Sequence, residues 1–215
     1  MTMKRQIPYI WVTWLTKLLA GEAQCDWASW FKAHNKYDKL PSDFNLTQWT
    51  ADHNQMLLGR AQYYRDEGYT VYIEDQNSFM LEGESGAILS GKADIVAVKG
   101  NEAIVEDCKT GQPRNSDHMQ VLIYMLVLPL TVEHCNGLQL NGLVKYKNDE
   151  VFINNSRVDE SLKNMLRELI NKISGDGSMK PTPSFNECRF CDISKQDCSV
   201  RMDTAPKKSK DHGLF

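Results

Sequence analysis

Two neighbouring stretches combine the residue types of metal and phosphate chemistry with the spacing of a β-hairpin. Gly91-Lys92-Ala93-Asp94-Ile95-Val96-Ala97-Val98 is followed, after a short turn, by Ala103-Ile104-Val105-Glu106-Asp107-Cys108-Lys109-Thr110-Gly111. Gly100-Asn101 suits a two-residue hairpin turn. A hairpin symmetric about that dipeptide sets Asp94 directly across from Asp107, on the same face and with Cβ atoms about 5 Å apart. Lys109 is two residues beyond Asp107 and shares its face, whereas Cys108 turns to the opposite face, toward core. Two carboxylates so opposed repel one another, and a divalent cation between them resolves the repulsion. Mg²⁺ and Mn²⁺ take oxygen ligands, use few carboxylates and leave positions for water and phosphate. Such an ion lowers the pKa of a water and stabilises charge on a phosphate under attack. Lys109 would orient the water or stabilise the developing charge.

The elements around this hairpin follow from periodicity. Residues 8–37 read as helical and rich in Trp and Leu, with a break at Pro41-Ser42-Asp43. A second helix is expected from about Thr47 to Glu67, with Met56, Leu57, Ala61 and Tyr64 at helical spacing and Gly68 as its stop. From Tyr69 the period becomes two: strands are expected over 70–74, 78–82, 88–98 and 103–108. A helix over about Ser116–Leu128 is capped by Asn115 or Ser116 and closed by Pro129. A hairpin turning at Asn148-Asp149 and a helix over about 158–173 complete the body. This order predicts a mixed α/β arrangement around one central sheet.

The hairpin sequence resembles the RecB-like branch of the PD-(D/E)XK nucleases. Two further features match that resemblance. Gln120 and Tyr124 are similar to the branch's Gln-x-x-x-Tyr pair; spacing of four sets them on one helical face, within reach of a phosphate backbone or of the lysine. Ordinary helix surface is the alternative reading. His53 resembles the histidine that supplies a metal ligand in the branch, a surface histidine being the alternative. The Gly-rich lead-in common before that histidine is missing here. Glu74 is a weaker candidate for the rim of the site. The resemblance implies an α/β fold with a restriction-endonuclease-like core, a central mixed sheet flanked by helices. It implies catalytic Asp94, Asp107, Lys109, Gln120 and Tyr124, and Mg²⁺ or Mn²⁺ held by His53, Asp94 and Asp107.

Six cysteines are present: Cys25, Cys108, Cys135, Cys188, Cys191 and Cys198. No secretory context is established, so a disulfide framework is not expected. Cys188, Cys191 and Cys198 form a compact group that lacks one thiolate of a four-ligand metal site. One cysteine far upstream and three near the end resembles the iron–sulfur nucleases of the same branch, the CRISPR-associated Cas-four family and AddB-like exonucleases. The resemblance implies a [4Fe-4S] cluster on Cys25, Cys188, Cys191 and Cys198 that staples the two ends of the domain, with Zn²⁺ as the alternative occupant. It implies one nuclease domain over 1–202: an N-terminal helical segment over 1–45, a core over 46–175 and a cysteine segment over 176–202. The remainder, 203–215, is expected to be a disordered tail.

A net charge of −3 speaks against a passive DNA coat and leaves room for an enzyme with a local basic path. Lys92, Arg114, Lys145, Lys147 and Arg157 are the candidate cations for such a path. No helix–turn–helix pattern stands out, so sequence-specific cleavage is not expected. The apolar start of the chain imitates a signal peptide, but Thr13, Thr16, Lys17, Glu22 and Gln24 interrupt the pattern. It reads instead as an amphipathic helix of a cytoplasmic protein with no membrane segment. The expected activity is that of a DNA exonuclease on single strands or ends, beside a helicase or a CRISPR integration complex. The competing expectation is a catalytically inactive DNA-binding scaffold that keeps the same fold and cluster.

Overall fold

The computed structural model describes residues 2–42, 44–177 and 179–205; most of the expected tail lies outside them. In chain order the elements begin with β1 (Met3–Lys4), β2 (Tyr9–Trp11), α1 (Val12–Leu19), α2 (Asp26–His34) and β3 (Asn35–Lys36). The middle holds α3 (Leu46–Asp66), β4 (Thr70–Ile73), β5 (Ser78–Glu82), β6 (Ile88–Lys92), β7 (Ile95–Lys99) and β8 (Glu102–Lys109). The remainder is α4 (Asn115–Thr131), β9 (Leu140–Tyr146), β10 (Glu150–Ile153), α5 (Glu160–Ser174) and α6 (Phe185–Cys188).

A five-stranded mixed sheet in the order β10-β9-β8-β7-β4 forms the centre. Strands β8 and β9 are parallel and the other neighbours antiparallel. The β7–β8 hairpin has the register set by Gly100-Asn101: Lys99 faces Glu102 and Ile95 faces Glu106. Gly100 supplies the left-handed turn residue, at φ 61°. Helices α3 and α4 cover opposite faces of β8. The α3 face buries Leu57, Ala61 and Tyr64 against Ile95, Ala97 and Cys108. The α4 face buries Val121, Tyr124 and Leu128 against Val96, Ala103 and Val105.

Three expectations need correction. Residues 88–98 are not one strand: β6 belongs to a second, three-stranded sheet, β2-β6-β5, and β7 to the central one. The chain bends between them at Ala93-Asp94. A single-turn 3-10 helix, Glu74–Asn77, fills the bend. The Glu74 amide donates to the Asp94 carbonyl at 2.9 Å, and Asn77 Nδ2 donates to the carbonyls of Tyr72 and Ala93. These bonds serve carbonyls that leave the ladder, which is why a buried asparagine stands there.

Residues 8–37 are likewise not continuous helix. Tyr9–Trp11 pairs in parallel with β6, and Gly21 at φ 70° ends the turn after α1. Ile10, Val12 and Leu15 of this stretch are fully buried, so the apolar start of the chain is core. Pro129 also lies inside α4 rather than closing it. Its ring removes one N–H only two residues before the end, where the Thr131 hydroxyl donates to the Val127 carbonyl at 2.9 Å. No described helix is long and apolar enough to cross a membrane.

Close approach of α4 to β9 depends on Gly142. A Cβ there would fall 2.4 Å from Val121 Cγ1 and 2.7 Å from Met125 Sδ. Gly142→Ala is therefore expected to lower stability by about 1–3 kcal/mol through overpacking. Urea unfolding monitored by far-UV circular dichroism checks it; an unchanged midpoint would contradict the packing described.

Candidate active site

Strand β8 carries two acidic residues in succession, and alternation turns them to opposite faces. Both are buried: Glu106 is 0% exposed and Asp107 1%. A buried carboxylate is costly without partners, and each has a different set.

Glu106 faces α3. Arg60 Nε and Nη2 approach its two oxygens at 2.7 and 2.8 Å, and the Tyr64 hydroxyl donates at 2.7 Å. This planar, two-pronged pairing is the strong form of a carboxylate–guanidinium contact. Arg60 also lies over the rings of Tyr63 and Tyr64. Sequence reasoning passed over Arg60 and Glu106. The available signal was an acidic residue in the middle of a central strand, which has to find a cation from elsewhere in the chain.

Asp107 faces α4. Gln120 Nε2 donates to its Oδ1 at 3.0 Å and to the Tyr124 hydroxyl at 3.0 Å. Gln120 Oε1 accepts from Lys109 Nζ at 3.0 Å, so the amide is fully used and its orientation fixed. The Tyr124 hydroxyl donates to the Lys92 carbonyl at 2.9 Å, and the residue is 2% exposed. The Gln-x-x-x-Tyr pair thus reaches the lysine and the carboxylate, and its tyrosine lies inside the protein. Lys109 Nζ sits 2.6 Å from Asp107 Oδ2 as a charge-assisted ion pair.

Asp94 lies at the bend, one residue before β7. Its Oδ2 accepts from the Cys108 amide at 2.7 Å and contacts His53 Nε2 at 3.1 Å. His53 comes from α3, on the same helical face as Leu57, Ala61 and Tyr64. The Trp49 ring stacks on its imidazole, centroids 5.0 Å apart. Glu74, at φ 44°, stands at the edge: its amide holds the Asp94 carbonyl and its charge acts on His53.

The electrostatics follow from these contacts. Burial, and then the charge of Asp94, push the Asp107 carboxyl upward, against the opposing pull of Lys109. Lys109 is held above its ordinary value: burial is the largest single effect and works against its charge, but Asp107, Asp94 and Asp117 together outweigh it. The hydrogen bond to Asp94 raises His53. Burial raises the Cys108 thiol well above its usual range, so that sulfur is packing rather than reagent.

Among the described residues, no group of three or more His, Cys, Asp or Glu side chains stands ready in a metal-holding geometry. Here His53 and Asp94 point at each other, and Lys109 caps Asp107. The donor types nonetheless fit a hard divalent ion: the carboxylates of Asp94 and Asp107 and the imidazole of His53.

Cys25, Cys188, Cys191 and Cys198 line one cavity of about 530 Å³ between α2 and the C-terminal segment, and all are free thiols. Burial raises the Cys198 thiol, and the other three thiols add to that shift. Cys108 and Cys135 are buried elsewhere. The segment is tied to the N-terminal region by protein contacts as well. Glu187 Oε1 accepts from the amides of Gln24 and Cys25 at 2.8 and 3.1 Å, and Lys32 pairs with Asp192 at 2.8 Å. Of the candidate cations for a DNA path, Lys92 pairs with Asp75 and Lys145 with Glu150. Arg114 lines the cysteine cavity instead.

A family model described as the PD-(D/E)XK nuclease superfamily matches residues 14–196. The chain belongs to that superfamily, whose nucleases are phosphodiester hydrolases using divalent metals such as Mg²⁺ or Mn²⁺. A solved structure titled "Crystal structure of SSO0001" is similar at a TM-score of 0.49 and 15% identity, over 93% of this chain and 90% of that one. No curated protein matches the chain.

Arg60→Met would leave Glu106 in the core without its cation, the Tyr64 hydroxyl remaining as a donor. The expected loss is about 3–5 kcal/mol, largely recovered when Glu106→Leu is added. Urea titration of the two variants checks this, and a single variant as stable as the wild type would contradict the pairing.

Proposed function

We propose that this protein is a DNA exonuclease of the RecB-like branch, acting on single strands or ends. The observation that carries the reading is the Asp107 cluster: a buried carboxylate paired with Lys109 at 2.6 Å and set close enough to Asp94 and His53 for their charges to act on one another.

In this reading His53, Asp94 and Asp107 hold Mg²⁺ or Mn²⁺, which supplies Lewis acidity toward a phosphate oxygen and acidifies a water. Lys109 stabilises negative charge developing on the phosphate, or orients the attacking water. Gln120 positions Lys109 and Asp107 together. Tyr124 anchors Gln120 to the backbone at Lys92 and is a positioning residue. The Cys108 amide and His53 fix the Asp94 carboxylate.

We assign Cys25, Cys188, Cys191 and Cys198 to a [4Fe-4S] cluster, with Zn²⁺ as the competing occupant. Their convergence on one cavity supports this, since Cys25 lies more than 160 residues from the others in sequence. Such a site would hold residues 1–45 and 176–202 onto the core as one domain. DNA single strands or ends of the kind a helicase or integration complex exposes are the substrates that fit this proposal.

Digestion of end-labelled single-stranded DNA with Mn²⁺ tests the activity. Asp107→Ala and Lys109→Ala are each expected to lose about 10²-fold or more of the wild-type rate. Equal rates in all three proteins would overturn the assignment. Anaerobically purified protein is expected to be brown with broad visible absorbance; a colourless, zinc-loaded sample would replace iron–sulfur by zinc.

A further inference from the structure

Helix α3 reaches well past the core. Residues Leu46–Asp52 are all exposed, and His53 is its first buried residue. Asn45 caps this projecting end, its side chain accepting from the Gln48 amide at 3.0 Å. On it stands a file of rings. Phe44 lies 6.1 Å from Trp49 and Trp49 lies 5.0 Å from His53, the last pair stacked at 21°. Phe44 is 58% exposed and Trp49 39%. The file therefore runs from solvent to the imidazole that contacts Asp94.

From this juxtaposition we infer that Trp49 and Phe44 form a stacking platform for unpaired nucleobases of the DNA strand entering the site. The inference rests on the nuclease reading and names the feature that selects its substrate. Two observations carry it beyond an exposed apolar face. First, the file is continuous with the candidate active site: Trp49 stacks on His53, and His53 contacts Asp94. Second, the net charge is −3, and Lys92 and Lys145 already have carboxylate partners. Stacking on aromatic side chains is a general source of affinity for single strands beside phosphate pairing, and it does not draw on those cations. Stacking also discriminates. Bases in a duplex already cover each other's faces, whereas an unpaired base or a frayed end offers a free π-face.

The test is a cycle between ring and base. Fluorescence anisotropy measures binding of a labelled oligothymidylate and of an all-abasic oligomer of equal length, in EDTA so that no divalent ion drives hydrolysis. The wild type is expected to prefer the thymidylate by about tenfold or more. Trp49→Ala and Phe44→Ala are each expected to lower that preference severalfold, and Trp49→Phe to retain most of it. Binding of a blunt duplex is expected to change less than twofold. Equal preference in the wild type, Trp49→Ala and Phe44→Ala would overturn the inference. Mn²⁺-dependent cleavage by the wild type, run in parallel, separates the two claims. Cleavage with no ring-dependent preference removes the platform alone. Ring-dependent preference without cleavage removes the nuclease reading and leaves a single-strand binding site.

Discussion

The structure depends on burying two successive carboxylates in its central strand. Glu106 and Asp107 point to opposite faces of β8, and neither has water to solvate it. Each must be neutralised by whatever helix covers its face. That requirement links both helices to the strand, Arg60 and Tyr64 of α3 on one side, Gln120 of α4 on the other. Lys109 completes the second set from β8 itself. The two solutions differ in kind. Glu106 is closed off by a two-pronged guanidinium and a phenol. Asp107 is served by an amide and a single ammonium, and it is the one beside Asp94 and His53.

The Glu106 side serves the Asp107 side. Arg60 and His53 are on the same helix, two turns apart, so the Arg60–Glu106 pair sets the height of α3 on the sheet and thereby the reach of His53 to Asp94. The bend at Ala93-Asp94 frees Asp94 from a regular ladder and lets it meet both His53 and the Cys108 amide. Tyr124 ties α4 to the same bend through the Lys92 carbonyl. Its ring crosses close over Gly91, where a Cβ would meet Tyr124 Cε1 at 3.0 Å and the Phe79 ring at 2.7 Å. A larger residue there would displace the anchor of Gln120.

What the sequence made legible was what local geometry decides. The two-residue turn fixes the β7–β8 register, and period two then assigns Asp107, Cys108 and Lys109 to their faces. Spacing of four puts Gln120 and Tyr124 together. Non-local pairing was not legible. Residues 88–98 read as one strand because nothing in their apolar pattern records that Asn77, some sixteen residues upstream, receives the carbonyl at the bend. Tyr9–Trp11 read as helix because its partner, β6, is about eighty residues away. Arg60 and Glu106 are ordinary residues until α3 is laid across β8. The convergence of four cysteines from the two ends was suggested by a family resemblance, not by spacing, since no local rule connects Cys25 to Cys188.

In the proposed reading Asp107 serves a cation, while Glu106 serves the fold. Calorimetric titration with Mn²⁺ of the wild type, Asp107→Asn and Glu106→Gln, each first shown to be folded by circular dichroism, tests that division. A binding isotherm is expected in the wild type and in Glu106→Gln, and its loss in Asp107→Asn. Undiminished Mn²⁺ binding by Asp107→Asn would contradict it.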